Sequence, residues 1–223
     1  MNRSTDASGP RSVLVLVRHG HTEMAGTFCG LSDPPLSEEG LGQLTAMNER
    51  LKQYPITHIF SSKLRRARQT AASIAKCRGL RIRYLTSLRE LAFGSWEGLT
   101  WDQVMARDPE YAQRWLDRYP DLRAPEGENF SNFSRRIQSA MEAIVKQADN
   151  GCAAVVTHAG VIRTFLGHVA SVQGIALELA QCEYASCWEV RCEAGQWRMS
   201  RGAIPVSAQA EAESTSADFE AVL

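Results

Sequence analysis

Residues 13–17 read Val-Leu-Val-Leu-Val, and the next three read Arg18-His19-Gly20. Five consecutive apolar residues, three of them β-branched, suit a strand buried on both faces. Such a strand needs cover on two sides, which points to an α/β design with helices packed against a sheet. The end of the run matters as much as the run itself. A guanidinium and an imidazole emerge together at the C-terminal end of a buried strand, where open α/β sheets bind ligands. Glycine at position 20 allows the backbone to turn sharply and approach a ligand closely.

A second run of the same kind lies far downstream. Residues 152–157 read Cys-Ala-Ala-Val-Val-Thr and lead into His158-Ala159-Gly160. Between the two runs the pattern predicts strands at Thr57–Ser61 and Arg81–Leu85. Ser37 is a good N-cap, with Glu38 and Glu39 in the first turn, for a helix to about Gln53 that Pro55 stops. A second helical segment starts at Ser62, with Leu64, Ala67, Ala71 and Ile74 on one face. Short helices are expected from the cap Thr100 and after Pro109, a long one over Phe130–Ala148, and another from the His158 turn to about Val172. Tyr184 to Cys192 alternates, with Tyr184, Trp188 and Val190 on one face, and predicts a half-buried strand. Gln196–Ser200 pairs with it through a turn at Gly195. Residues 91–129 read as an insertion over the active site, within one domain spanning 12–202. The ends, 1–11 and 203–223, are expected to be disordered.

Composition excludes several classes. Lysine plus arginine equal aspartate plus glutamate at 25 each, so there is no global basic field for nucleic acid or a membrane surface. No apolar run reaches the roughly 18 residues that a bilayer span needs. The polar segment Met1–Arg11 has no apolar core of a signal peptide, so the expectation is a cytoplasmic protein. None of the six cysteines forms a C-x-x-C pair, and they read as small buried apolar residues. Cys182, Cys187 and Cys192 recur every five residues, a wider spacing than zinc sites favour. No metal and no cofactor are expected.

If the two long runs are neighbours in a parallel sheet, His19 and His158 share one edge, and the arginine-rich segment after Ser61 brings Arg66 to it. Two guanidinium groups and two imidazoles around one spot suit a dianion, because guanidinium forks match phosphate oxygens. Helix N-termini after Gly20 and Gly160 would add backbone N–H donors. Neighbouring cations keep an imidazole neutral and able to attack phosphorus. His19 is then the nucleophile, with Arg18 and Arg66 cradling the phosphoryl group and His158 donating to an oxygen. Glu90, just before a Gly- and aromatic-rich turn, is the candidate general acid and later the base for water.

The residues resemble the histidine phosphatase superfamily, whose fold is phosphoglycerate mutase-like. Arg18-His19-Gly20-x-Thr22 is similar to its signature, and Ser61-Ser62-x-Leu64-x-Arg66-Ala67-x-Gln69-Thr70 to its second motif. Leu88-x-Glu90 followed by Gly94-x-Trp96-Glu97-Gly98 resembles the proton-donor segment, and Thr157-His158-Ala159-Gly160 the second histidine motif. Pro125-x-Gly127-Glu128 with Arg136 further on is a weaker match. The aromatic turn and Gly30-x-x-Asp33-x-Pro35-Leu36 look more like the phosphatase branch, which includes α-ribazole phosphatase. Two positions depart from the pattern. His21 replaces the usual acid or amide, and Glu23-Met24-Ala25 lacks the usual asparagine.

The resemblance implies a three-layer α/β/α fold with a mostly parallel central sheet. It implies a metal-independent phosphomonoesterase acting on a small phosphate ester through phosphohistidine on His19. Catalysis falls to His19, Glu90, His158, Arg18 and Arg66. Arg18, Arg66, Thr22, Gly30, His21 and Ala159 are the expected substrate contacts. A cofactor-dependent phosphoglycerate mutase and a non-catalytic phosphate-binding module are the alternatives. A monomer or homodimer is expected. Glu97 is given no catalytic role, and Arg65 and Arg68 are expected to face solvent.

Overall fold

The computed structural model describes residues 11–173 and 182–199. The ends expected to be disordered lie outside those residues, except Arg11, which opens the first strand. β1 (Arg11–Arg18), β2 (Ile56–Ser62), β3 (Ile82–Leu85), β4 (Cys152–Thr157), β5 (Cys187–Glu193) and β6 (Gln196–Met199) form one sheet in the order β3-β2-β4-β1-β5-β6. The first four are parallel, and β5 and β6 add an antiparallel edge beside β1. The helices are α1 (Glu38–Leu51), α2 (Arg65–Arg78), α3 (Trp101–Arg107), α4 (Pro109–Arg118), α5 (Phe130–Ala148) and α6 (Ala159–Gln173).

The apolar runs are continuous because both faces of the sheet are covered. Val15 and Val17 of β1, with Ala154 and Val156 of β4, pack against Leu44, Met47 and Leu51 of α1 and Ala67, Ala71 and Ile74 of α2. Leu14, Leu16, Ala153 and Val155 point the other way, toward Ile137, Met141 and Ile144 of α5 and Ile162 and Phe165 of α6. Strand side chains alternate between faces, so each run serves two cores. Local chemistry agrees with the helix starts. Ser37 caps α1 by accepting from Gly40 N–H at 3.1 Å. Thr100 and Gln103 form a capping box on α3, and Asn129 caps α5.

Three boundaries differ from the sequence expectation. Ser62 closes β2 rather than opening α2, which begins at Arg65. No helix follows Gly20: the chain runs as loop to Ser37. Tyr184 lies in a turn, not in β5, because Ala185 at φ +57° breaks the extended run before Cys187.

The 91–129 segment folds as α3 and α4 with a short turn at Gly94–Trp96. Its buried Trp115 is 1% exposed and meets Trp96, Trp101, Tyr119 and Phe28 with ring centroids 5.3, 6.2, 5.1 and 6.0 Å away. Phe28 belongs to the loop after β1, so this aromatic cluster joins the insertion to the signature segment. Trp115→Ala removes the cluster's centre and should cost about 3–5 kcal/mol in chemical denaturation. A loss below about 1 kcal/mol would show that the insertion packs independently of the sheet.

Candidate active site

The site grows from strand pairing. β1 and β4 are parallel neighbours in a register that sets Arg18 opposite Thr157. The next residues of each, His19 and His158, therefore leave the sheet side by side, with ring centroids 5.0 Å apart. His19 N–H still bonds the Thr157 carbonyl at 3.0 Å, which holds its backbone on the ladder. β2 pairs with the other side of β4, and its last residue, Ser62, places Oγ 2.9 Å from His158 Nε2. Thr70, the sixth residue of α2, fastens the signature by accepting from Gly20 N–H at 3.2 Å, and Arg66, the second, comes to the same edge.

Hydrogen bonds fix the protonation of His19. Nδ1 lies 2.7 Å from the Gly20 carbonyl, which only accepts, so Nδ1 carries the proton. Arg66 Nε–H donates to Nε2 at 3.1 Å, so Nε2 presents its lone pair. Burial, then the charges of Arg66 and Arg18, hold the imidazole well below its ordinary 6.5. His158 is held down in the same way, by burial, Arg66, His19 and Arg18. Its Nδ1 is buried and makes no hydrogen bond.

Arg66 is 1% exposed and does more than face His19. Its terminal nitrogens donate to the carbonyls of Ser32, Cys29 and Gly30 at 2.6, 3.0 and 2.9 Å. Glu97 holds the same loop from the other side, accepting from the N–H groups of Gly30, Leu31 and Ser32 at 3.1, 2.8 and 3.0 Å. Burial works against that carboxylate, but bonds from Ser32, Leu31 and Phe93 outweigh it and keep the group below its ordinary value. Gly30 is required here, since a Cβ would lie 2.1 Å from the Leu91 carbonyl oxygen.

Arg18 stacks its guanidinium 3.7 Å from the Tyr184 ring centroid and donates to the Cys182 carbonyl. Its Nε is buried and makes no hydrogen bond. Glu90, 7% exposed, accepts from Leu91 N–H at 2.8 Å and from Gly160 N–H at 2.9 Å. Burial raises its pKa, and the two N–H donors only partly offset that. A Cβ on Gly160 would sit 2.4 Å from Glu90 Oε1, so glycine is what lets the carboxyl reach α6.

His19, His158, Arg66, Arg18 and Glu90 thus come to one sheet edge. Gly30 is bonded to Arg66, and Ala159 is the buried first residue of α6. Thr22 is 2% exposed and contributes a carbonyl to Ala25 N–H. His21 turns toward α1, with Nδ1 2.8 Å from Ser37 Oγ and its ring 5.1 Å from Tyr184. Gly20 serves a different close approach from the one expected: its missing Cβ makes room for the Gly40 carbonyl of α1, 2.8 Å away. The helix start after Gly160 does supply an N–H, but it is engaged by Glu90. Cys182, Cys187 and Cys192 are free and buried. Among the described residues no three His, Cys, Asp or Glu side chains gather as metal ligands would. Their helices include none long and apolar enough to cross a membrane. Arg65 and Arg68 are exposed as expected.

Two site neighbours escaped the sequence reading. Tyr184, expected on a strand face, instead lies in a turn against Arg18. Arg163 feels the charges of Arg18 and Glu90 and is lowered by burial; its signal was its position one helical turn after Ala159.

Residues 14–204 match the histidine phosphatase superfamily (branch 1), and the chain belongs to that family. The adenosylcobalamin/α-ribazole phosphatase of Salmonella typhimurium is 30% identical over 186 residues, covering 82% of this chain and 87% of that protein. A metal-independent phosphoserine phosphatase of Arabidopsis thaliana is 37% identical over 156 residues, 67% of this chain and 65% of its own length. The structure of a mycobacterial glucosyl-3-phosphoglycerate phosphatase superposes with a TM-score of 0.71 at 27% identity, covering 85% of this chain and 97% of the other. The family is one of phosphatases, which are hydrolases, and the central sheet is that of the phosphoglycerate mutase-like fold.

Two outcomes follow from this geometry. Unfolded, His19 and His158 take up protons near 6.5; folded, they do so only at lower pH. The unfolded chain then binds more protons below 6.5, so each imidazole takes away up to about 1.4 kcal/mol of stability per pH unit as the solution is acidified. Denaturant titrations between pH 7 and 5 should show a shallower decline for His158→Gln than for the wild type; parallel curves would contradict the neutral buried imidazole. Gly160→Ala should leave thermal stability nearly unchanged, because the clash is with a movable carboxyl. Turnover should fall by about a hundredfold, and full activity in steady-state kinetics would mean that the Glu90 position is not critical.

Proposed function

We propose that the chain is a metal-independent phosphomonoesterase that hydrolyses a small phosphorylated metabolite through a phosphohistidine intermediate. The state of His19 carries this reading: a buried neutral imidazole whose Nε2 lone pair meets a guanidinium N–H. A phosphate oxygen takes the place of that lone pair as Arg66's partner, and phosphorus meets Nε2.

The steps balance with the chain's own groups. His19 Nε2 attacks phosphorus and the bond to the leaving oxygen breaks. Glu90, whose pKa burial raises, gives its proton to that oxygen, and an alcohol departs. Arg18 Nε and Arg66 neutralise the equatorial oxygens. With Ser62 donating its O–H to Nε2, His158 keeps its proton on Nδ1 and donates a hydrogen bond from it to a phosphoryl oxygen. Water then attacks phosphorus and loses a proton to Glu90 as the P–N bond breaks. Inorganic phosphate leaves, and both residues return to their starting states.

The buried Arg18 Nε and His158 Nδ1 support this assignment, since a buried donor without a partner is costly and an anion satisfies both. The relatives support it too: three of them carry phosphatase names. Free cysteines suit a reducing compartment, in keeping with a cytoplasmic enzyme. His19→Ala should lower hydrolysis of 4-nitrophenyl phosphate by at least about a thousandfold. In the wild type, rapid acid-free quenching should trap acid-labile phosphate on His19. Wild-type turnover by the His19→Ala protein would refute the assignment.

A further inference from the structure

Arg136 of α5 makes a bond with every N–H of its guanidinium, and all five acceptors belong to one small region. Nε and one terminal nitrogen grip Glu128 as a fork, at 2.8 and 2.8 Å. The other terminal nitrogen donates to the carbonyls of Ser87 and Arg89 at 2.8 and 2.7 Å. The remaining N–H reaches the carbonyl of Glu90 itself at 3.0 Å.

Residues 86–88 make only a single 3-10 turn, and 89–93 lie outside any helix or strand. Carbonyls in such a segment have no ladder to satisfy them and need donors from elsewhere. Arg136 supplies three, and Thr157 Oγ1 adds a fourth to Leu88 at 2.8 Å. Glu128 closes the clamp, because its own N–H bonds the Ala92 carbonyl at 2.9 Å. Gly127 permits that approach, since a Cβ there would stand 2.7 Å from the same carbonyl oxygen. The Arg136 guanidinium is itself braced 4.6 Å over the Phe133 ring.

The ion pair is only about a fifth exposed, at 20% and 22%. A pair held that far from water gives little net stability compared with apolar packing. What it gives is a rigid backbone directly behind one carboxyl. We propose that Arg136, locked by Glu128, is a positioning residue for proton transfer: it sets the backbone of residues 87–90 and so aims the Glu90 side chain at the leaving oxygen. Lysine cannot replace it, having three N–H donors where five are used, and no planar fork.

The inference rests on Glu90 being the proton donor, and the test separates the two. A proton donor matters most when the leaving group is a poor one, so kcat/KM is compared across aryl phosphates from 4-nitrophenyl to 4-methoxyphenyl. Arg136→Lys should cost at least about tenfold on the methoxy ester and less than about twofold on the nitro ester. Glu90→Gln should show the same pattern more steeply. An equal loss on every ester for Arg136→Lys, with Glu90→Gln still discriminating, would overturn the positioning role and leave the acid assignment intact. Equal losses for Glu90→Gln would overturn both. If Arg136→Lys does not fold, Glu128→Gln carries the same comparison: it loosens the fork while keeping the carbonyl bonds, and a leaving-group-dependent loss is expected.

Discussion

The parallel pairing of β1 with β4 is the constraint on which the other features depend. Arg18 stands opposite Thr157, so two histidines that are distant in sequence leave the sheet as neighbours. Side chains alternate along a strand, so a slip of one residue would turn every core contact of β1 to the wrong face. The cores on the two sides of the sheet lock the register, and the register locks the site. Val15 and Val17 on one face and Leu14 and Leu16 on the other are fully buried, which leaves no latitude for a slip. Packing and function are here the same set of contacts.

Burial then does chemical work with two opposite signs. It suppresses charge on any group, so it lowers His19 and raises Glu90. The proposed nucleophile must be neutral and the proposed acid must hold its proton, and one dry environment favours both states at once. The guanidinium groups reinforce this on the histidine side, because Arg66 and Arg18 disfavour an imidazolium beside them. Ordering falls to residues further out. Glu97 and Arg66 hold the 29–32 loop, Thr70 holds Gly20, and Arg136 with Glu128 holds the segment that carries Glu90. Each is a polar side chain that satisfies backbone groups which the sheet and helices leave unpaired.

Much of the fold was legible because the local signals were strong. The runs at 13–17 and 152–157 are too apolar for anything but central strands, and α5 spans the expected Phe130–Ala148. Ser37 and Thr100 cap as their side-chain chemistry predicts. Four of the five expected catalytic residues, Arg18, His19, Arg66 and His158, come together because they lie at a strand end or a helix start, whereas Glu90 is brought in by an irregular segment. What escaped was set by contacts across the chain. Tyr184 alternates correctly with Trp188, yet the left-handed Ala185 turns it out of β5 and over Arg18. The sequence pattern reserves Gly20 for a ligand, but the α1 backbone occupies that space. Nothing local to Arg136 announces that three of its five donors meet the carbonyls of Ser87, Arg89 and Glu90 while the other two grip Glu128.

The central claim is that His19 Nε2, Arg18, Arg66 and His158 bind one phosphoryl group between them. A crystal structure with orthovanadate tests this most directly. The account predicts vanadium bonded to His19 Nε2, with equatorial oxygens bonded to Arg18, Arg66 and His158 and an axial oxygen facing Glu90. Vanadate bound elsewhere, or at this edge without a bond to His19, would contradict it.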